Sequence, residues 1–301
     1  MIALARIATF ALVALAVPAT AAELTGALKQ IKESGEIRIG YRDASIPYSY
    51  LDDTQHPVGY SMDLCLRVVD AVKAELELPA LKVGYNPVTS ANRIPLIANG
   101  TIQLECGSTV NNAERQQQVA FSDTTFIVST RFIAKRAGNL KTLADLRGKT
   151  VVCTAGTNTL ARVNGLNQKQ NLGMTILTGK DHAESLLMVE TGRAAAFFED
   201  DILLKGLAAN SRDPQSWALG TEAYSIDPYA LMLPRGDAAF KAVVDRTLAD
   251  YFKSGAIIAT YDKWFRKPIP PKGVTLDFPL SPPLRKAFDK PTDSPDPASY
   301  E

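Results

Sequence analysis

The apolar positions change period several times along the first third of the chain. Leu24, Leu28 and Ile31 recur at helical spacing, and Gly35 ends that run. Ile37-Arg38-Ile39-Gly40-Tyr41-Arg42 alternates apolar and polar as a strand does, and closes on a charge. Residues 47–59, with Asp52-Asp53 and Pro57, have the composition of a hairpin-like excursion. Met62, Cys65, Val69, Val72 and Leu76 form one stripe of a long amphipathic helix. A strand over 81–85, a short helix over 90–99 and a strand over 101–106 follow.

A second run of the same rhythm begins near Leu143. Residues 143–148 read as a helical turn stopped by Gly148, 150–154 as a β-branched strand, and Gly156-Thr157-Asn158 as the opening of a helix. Then come a strand (174–177), a helix (181–190), a strand (194–198) and a helix (201–208). Two extended, β-rich segments, 126–135 and 224–234, bracket this unit, and helices over 238–253 and 257–264 follow it. Strands alternating with helices predict βαβ units and mainly parallel sheets. The bracketing predicts a chain that leaves one lobe (22–127), builds a second (132–224) and returns to the first (230–285). Residues 290–301 are rich in Pro, Asp and Ser and read as a disordered tail.

The N-terminus adds a compartment. Met1 to Arg6 carries one positive charge, Ile7 to Val17 is unbroken apolar, and Ala19-Thr20-Ala21 has the small-x-small form of a cleavage site. Residues 1–21 therefore read as a signal peptide, and the apolar run is short of the roughly 20 residues of a membrane span. Losing Arg6 leaves 32 basic residues, one fewer than 33, against 32 acidic ones. That balance excludes nucleic acid or an anionic membrane surface as a partner held by charge. The three cysteines, Cys65, Cys106 and Cys153, have spacings that suit neither zinc nor a disulfide framework. They read as buried free thiols. An oxidising compartment would permit one disulfide whose pair the sequence does not choose.

Several blocks then carry a resemblance. They are Arg42, Thr89-Ser90-Ala91-Asn92-Arg93-Ile94-Pro95-Leu96, and Glu105 through Arg115 with its Gly107-Ser108-Thr109-Val110 core. Lys180-Asp181-His182, Gly192-Arg193-Ala194, Asp200-Asp201 and Trp264-Phe265 before Pro268-Ile269-Pro270-Pro271 complete them. Together they resemble the glutamate/aspartate-binding proteins of ABC importers, from about residue 37 to 278. The resemblance implies a two-lobed periplasmic-binding-protein fold of type II, with two mainly parallel sheets joined by two extended hinge segments. It also implies a periplasmic monomer that needs no cofactor and hands L-glutamate or L-aspartate to the membrane subunits of a transporter. By this resemblance Arg115 holds the α-carboxylate, while Arg42, Ser90, Arg93 and His182 hold the distal one. Asp200 takes the α-ammonium with Ser108 in support. Val110 and Asn158 stand where the family commonly has Thr, so a hydroxyl near the ligand's α-carboxylate and ammonium is missing, and Asn158 keeps a cap and a donor.

The chemistry is consistent with that assignment. A dicarboxylic amino acid presents two anions and one cation, each needing a charge-assisted partner when buried. Three Arg against one Asp would leave the site net positive and favour an acidic ligand. Ser90 and Asp200 could instead be helix caps, and His182 a satisfied core residue. Rival readings are a dehydratase-like enzyme on the same scaffold, using His182 and Asp200 for acid–base work, and a binding protein for glutamine or asparagine.

Overall fold

A computed structural model of the protein describes residues 24–301. The leader proposed for 1–21 lies outside the described residues. Helix α1 (Gly26–Ser34) buries Ala27, Leu28 and Ile31 and stops at Gly35, whose φ of 67° is the left-handed C-cap anticipated from its position. Strand β1 (Glu36–Tyr41) follows, ending one residue before Arg42. A three-stranded ribbon built from Ala44–Ser45, Ser49–Leu51 and Pro57–Val58 is the hairpin-like excursion. Helix α2 (Tyr60–Leu76), strand β2 (Lys82–Pro87), helix α3 (Arg93–Ala98), β3 (Leu104–Glu105) and β4 (Ala120–Phe121) then complete the outward path.

The extended stretch that the sequence shows as one piece is two strands. β5 (Phe126–Val128) and β6 (Thr130–Lys135) break at Ser129. β7 (Thr150–Thr154), α4 (Asn158–Lys169), β8 (Thr175–Gly179), α5 (His182–Glu190), β9 (Ala196–Asp200), α6 (Asp201–Asn210) and β10 (Trp217–Leu219) form the second unit. The return uses β11 (Asp227–Tyr229) and β12 (Met232–Leu233), then helices α7 (Ala238–Lys253), α8 (Ile257–Phe265) and α9 (Pro282–Asp289).

The two five-stranded sheets share one plan. The first runs β2-β1-β3-β12-β4 and the second β8-β7-β9-β6-β10. In each the first three strands are parallel: β1 pairs β2 and β3, and β7 pairs β8 and β9. The strand arriving from the other unit joins antiparallel, β12 beside β3 and β6 beside β9. Between the sheets β5 and β11 pair antiparallel, Val128 opposite Asp227 and Phe126 opposite Tyr229. These two short strands form a paired ribbon between the sheets.

The first lobe's core gathers α2, α7, α8 and α9 against its sheet, with Tyr48, Tyr60, Phe126, Tyr261 and Phe265 interlocked. The second lobe has an apolar layer on each sheet face: Val151, Cys153 and Phe198 on one, Val152, Phe197 and Leu204 on the other. Helix α6 serves both lobes, because Ile202 and Leu203 join the first lobe's core while Leu204 and Leu207 join the second's.

Two expectations are corrected. Cys65 and Cys106 form a disulfide and only Cys153 is a free, buried thiol. Helix α2 crosses the first sheet and brings Cys65 to the end of β3, with the Cα atoms 6.0 Å apart across a sequence separation of 41 residues. Residues 290–301, read as disordered, are packed. Tyr300 is buried and its hydroxyl lies 2.6 Å from Thr124 Oγ1. Thr292 O accepts from Thr124 N at 2.9 Å, and Asp293 O accepts from Asn111 Nδ2 at 2.9 Å and Gln116 Nε2 at 3.1 Å. One aromatic anchor and a few carbonyls docked on lobe-1 donors outweigh a polar composition.

Candidate functional site

The polar residues that face one another between the lobes come from the carboxyl ends of parallel strands, where open α/β sheets expose side chains and helix N-termini. From the first lobe, Arg42 follows β1, Arg93 opens α3, and Ser108, Val110 and Arg115 follow β3. From the second, Gly156 and Asn158 follow β7, His182 follows β8 and opens α5, and Asp200 ends β9. Arg42, Ser90, Arg93, Ser108, Val110, Arg115, His182 and Asp200 are all buried.

Backbone carbonyls hold the Arg115 guanidinium and share that of Arg93 with side chains, whereas Arg42 meets a side chain. Arg93 Nη1 donates to Ser108 O at 3.0 Å and to the Thr109 hydroxyl, and sits 3.8 Å from Glu105 Oε1. Arg115 Nη1 donates to Val110 O at 2.8 Å, and its Nη2 crosses to the second lobe to donate to Gly156 O at 3.2 Å. Arg42 Nη2 crosses likewise, to His182 Nε2 at 3.4 Å. Burial, and then the neighbouring Arg93, lower Arg42 and Arg115 to about 10, so both stay charged at neutral pH. Among the described residues Arg42 Nη1, Arg93 Nε and Ser90 Oγ are buried without a hydrogen-bond partner.

The smaller expected site residues resolve individually. Ser90 is not a cap: α3 begins at Arg93, and its N-terminal turn is closed by Asn92 and Thr89, with Asn92 Oδ1 accepting from Thr89 N at 2.7 Å. Ser108 Oγ donates to Ser45 Oγ at 3.2 Å. Val110 acts through its backbone, accepting from Arg115 and bridging to Tyr229. Asn158 is the first residue of α4, but the cap is Thr157, whose side chain accepts from Leu160 N at 3.2 Å. Asn158 Oδ1 instead accepts from Asn112 Nδ2 at 3.2 Å, another link between lobes. Asp200 precedes α6 without capping it. Its carboxyl accepts from Thr130 Oγ1 at 3.2 Å and from the Tyr229 hydroxyl on the hinge. Burial and then Glu199 and Asp227 raise it well above the usual carboxylate range.

His182 has a defined tautomer. Ser185 Oγ donates to Asp181 O at 2.9 Å, so it accepts from Thr154 Oγ1 at 2.9 Å. Thr154 Oγ1, having donated there, accepts from His182 Nδ1 at 2.9 Å. The ring's proton is therefore on Nδ1, and Nε2 offers a lone pair to Arg42, which can only donate. Burial and then Arg42 and Arg93 hold the imidazole neutral, well below its usual range.

Two buried carboxyls escaped the sequence reading. Glu105 accepts from Thr109 Oγ1 at 2.6 Å beside Arg93. Glu199 lies behind His182, its Oε2 3.3 Å from Nδ1. The count of three Arg to one Asp therefore becomes three Arg facing Glu105, Glu199 and Asp200. Both lie in fully buried strand segments, Glu105 after Leu104 and Glu199 after Phe197-Phe198, and a charged residue directly following apolar strand residues is the signal that could have found them.

The lobes meet closely here. A Cβ on Gly156, at φ 76°, would come within 2.6 Å of Ala91 Cα and 2.7 Å of its nitrogen. Polar groups of both lobes thus converge on one enclosed site between them, the arrangement of a two-lobed binding protein. The chain belongs to the bacterial extracellular solute-binding proteins, family 3, matched over residues 37–267. It is similar to the L-glutamate/L-aspartate-binding protein of Pseudomonas aeruginosa, 52% identical over 280 residues covering 93% of each chain. It is also 44% identical to the glutamate/aspartate import solute-binding protein of Escherichia coli, over 88% of each. A cysteine-binding protein from Campylobacter jejuni shares the fold, with a TM-score of 0.70 at 22% identity over 80% of this chain and 94% of that one.

Proposed function

We propose that the protein captures L-glutamate or L-aspartate between its lobes and delivers it, as a monomer outside the cytoplasmic membrane, to the membrane subunits of an ABC importer. The observation that carries this reading is the pair of buried guanidinium donors, Arg42 Nη1 and Arg93 Nε, together with Ser90 Oγ, that no acceptor among the described residues satisfies. A buried cationic donor without an acceptor costs several kcal/mol, and an anionic ligand group removes that cost. Arg42, Arg93 and Ser90 would hold the distal carboxylate. Arg115, beside the Val110 carbonyl, would hold the α-carboxylate, and Asp200 the α-ammonium, giving up its proton to do so. The names of the similar proteins from Pseudomonas aeruginosa and Escherichia coli support the same ligand pair.

The reading includes no turnover. Isothermal titration calorimetry with the twenty amino acids should show heats for glutamate and aspartate at one equivalent, ahead of glutamine and asparagine. Proton NMR of the bound amino acid, recovered after long incubation, should show it unchanged. Preferred binding of an amide would remove the distal-carboxylate assignment, and recovery of an altered product would favour an enzyme.

A further inference from the structure

The most unusual buried group that ligand capture has not yet used is Glu199. It ends no helix and caps none, yet its carboxyl is fully enclosed in the second lobe. Oε1 accepts from Thr159 Oγ1 of α4 at 3.2 Å and from Asp200 N at 3.2 Å. Oε2 accepts no hydrogen bond, although it lies 3.3 Å from His182 Nδ1, because that N–H is directed to Thr154. The imidazole thus has a carboxyl behind one edge and Arg42 of the other lobe in front of the other.

This arrangement poses a problem for an acidic ligand. In the tautomer described above, Nε2 presents a lone pair toward the first lobe. A ligand carboxylate arriving beside Arg42 would meet that lone pair, and two acceptors facing each other in a low dielectric repel. Moving the Nδ1 proton to Nε2 would break the chain from Nδ1 through Thr154 to Ser185, whereas adding a second proton on Nε2 keeps it, and an imidazolium so deeply buried needs a counter-charge on its other side. The geometry supplies one in Glu199 Oε2.

We propose that Glu199 is a positioning residue for ligand capture, its Oε2 lying behind the Nδ1 edge of His182 as the counter-charge that lets Nε2 take up a proton when an anionic ligand group enters between the lobes. The inference rests on the proposed function, since it requires a ligand with a carboxylate near Arg42. The groups facing this pair are known from every side. Arg42 and Arg93 act on both from the first lobe; Asp200, Thr159, Cys153 and Tyr229 surround Glu199; Thr154 and Ser185 surround His182. Burial pushes the Glu199 carboxyl up to about 7, against the opposing pull of the Asp200 N–H and Arg42.

The proton count follows. Before capture Glu199 is protonated on the acid side of about 7 and ionised above it, while His182 is neutral throughout. After capture Glu199 is ionised and His182 is an imidazolium. One proton joins Nε2 from solvent, and any proton on Glu199 returns to solvent. For this pair alone the two nearly cancel at pH 6, whereas at pH 8 the pair takes up close to one net proton. Asp200 adds a proton release of its own, and because Glu199 helps to push that carboxyl up, a net proton count would mix the two groups; the state of the His182 ring itself separates them.

The test is nitrogen-15 NMR of the histidine rings in the wild-type protein and Glu199→Gln at pH 8, with and without saturating L-glutamate; the sequence has two histidines, the exposed His56 and the buried His182. In the wild type the His182 ring should pass from a neutral imidazole to one protonated on both nitrogens when glutamate binds. In Glu199→Gln it should stay neutral with glutamate bound, because the counter-charge behind Nδ1 has been removed. A doubly protonated ring in both proteins would overturn the proposal, as would a neutral ring in the glutamate-bound wild type, which is decisive even if the variant does not fold. Failure of both L-glutamate and L-aspartate to bind at any pH would instead refute the proposed function.

Discussion

Truncating Arg93 to Ala separates ligand recognition from architecture, provided its effect on the fold is accounted for first. Arg93 is the cation nearest Glu105, and removing it leaves that buried carboxylate with the Thr109 hydroxyl as its remaining partner. Breaking a buried pair in this way costs about 3–5 kcal/mol of stability. Adding Glu105→Gln removes the stranded charge and should recover most of that loss. The effect on ligand is separate. The unpartnered Nε is assigned to a distal carboxylate, and truncating one member of a buried charged pair costs about 2–5 kcal/mol in binding. That corresponds to a loss of glutamate affinity of about thirtyfold to several thousandfold. Glutamine presents a neutral amide there and should lose about 0.5–1.5 kcal/mol, roughly two- to thirteenfold. Calorimetry of both ligands against the wild type, Arg93→Ala and the double variant measures the difference, with thermal melts followed by circular dichroism to check folding. If glutamate and glutamine lost affinity by the same factor, Arg93 would be shaping the lobe rather than reading the side chain, and the reason for calling the ligand acidic would go with it.

Arg115→Ala should weaken glutamate and glutamine together, because both share the α-carboxylate; calorimetry with a loss confined to glutamate would exchange the roles of the two arginines. Gly156→Val places side-chain atoms against the backbone of Ala91 in the opposite lobe and should keep the lobes apart. Small-angle scattering should then show the wild type contracting with glutamate and the variant unchanged, and contraction of both would show that this contact does not limit closure. Opening the Cys65–Cys106 bridge with Cys65→Ala plus Cys106→Ala frees a loop with a sequence separation of 41 residues. The chain-entropy relation puts the cost at about 4 kcal/mol, read as a lower urea midpoint, and an unchanged midpoint would mean the bridge contributes nothing.

The elements with strong periodicity were legible from residues alone. The stripe of Met62, Cys65, Val69, Val72 and Leu76 is the buried face of α2, and the strand through Ile39 does deliver Arg42 to its carboxyl end. What local pattern could not supply was pairing at a distance. Cys65 and Cys106 meet because α2 folds back over a sheet, and no local feature of either residue reports that. Glu199 lies just past the strand read over 194–198 and carried no signal there, and only the arrival of His182 from β8 and α5 makes it a partner. The segment over 126–135 had no turn signal, yet it divides at Ser129, because β5 pairs within the hinge and β6 within the second sheet. The tail failed for the opposite reason: composition averages over a window, and Tyr300 anchors its segment as a single residue. Ser90 was misjudged as a possible cap because α3 starts three residues later than its apolar pattern indicates.

The docked tail has a consequence for how the molecule can be held. Leu24 packs against the first lobe's core, and Tyr300 returns to the same lobe beside Thr124, so both described ends of the chain belong to one rigid half. The second lobe is an insertion entered and left through β5 and β11. A bead, a surface or a fused protein attached beyond Glu301 would hold the first lobe and leave the second untouched. A dye pair meant to test for lobe closure must therefore have one member placed internally, on α4 or α5, since labels at the two described ends would sit on one lobe and register no change between the lobes.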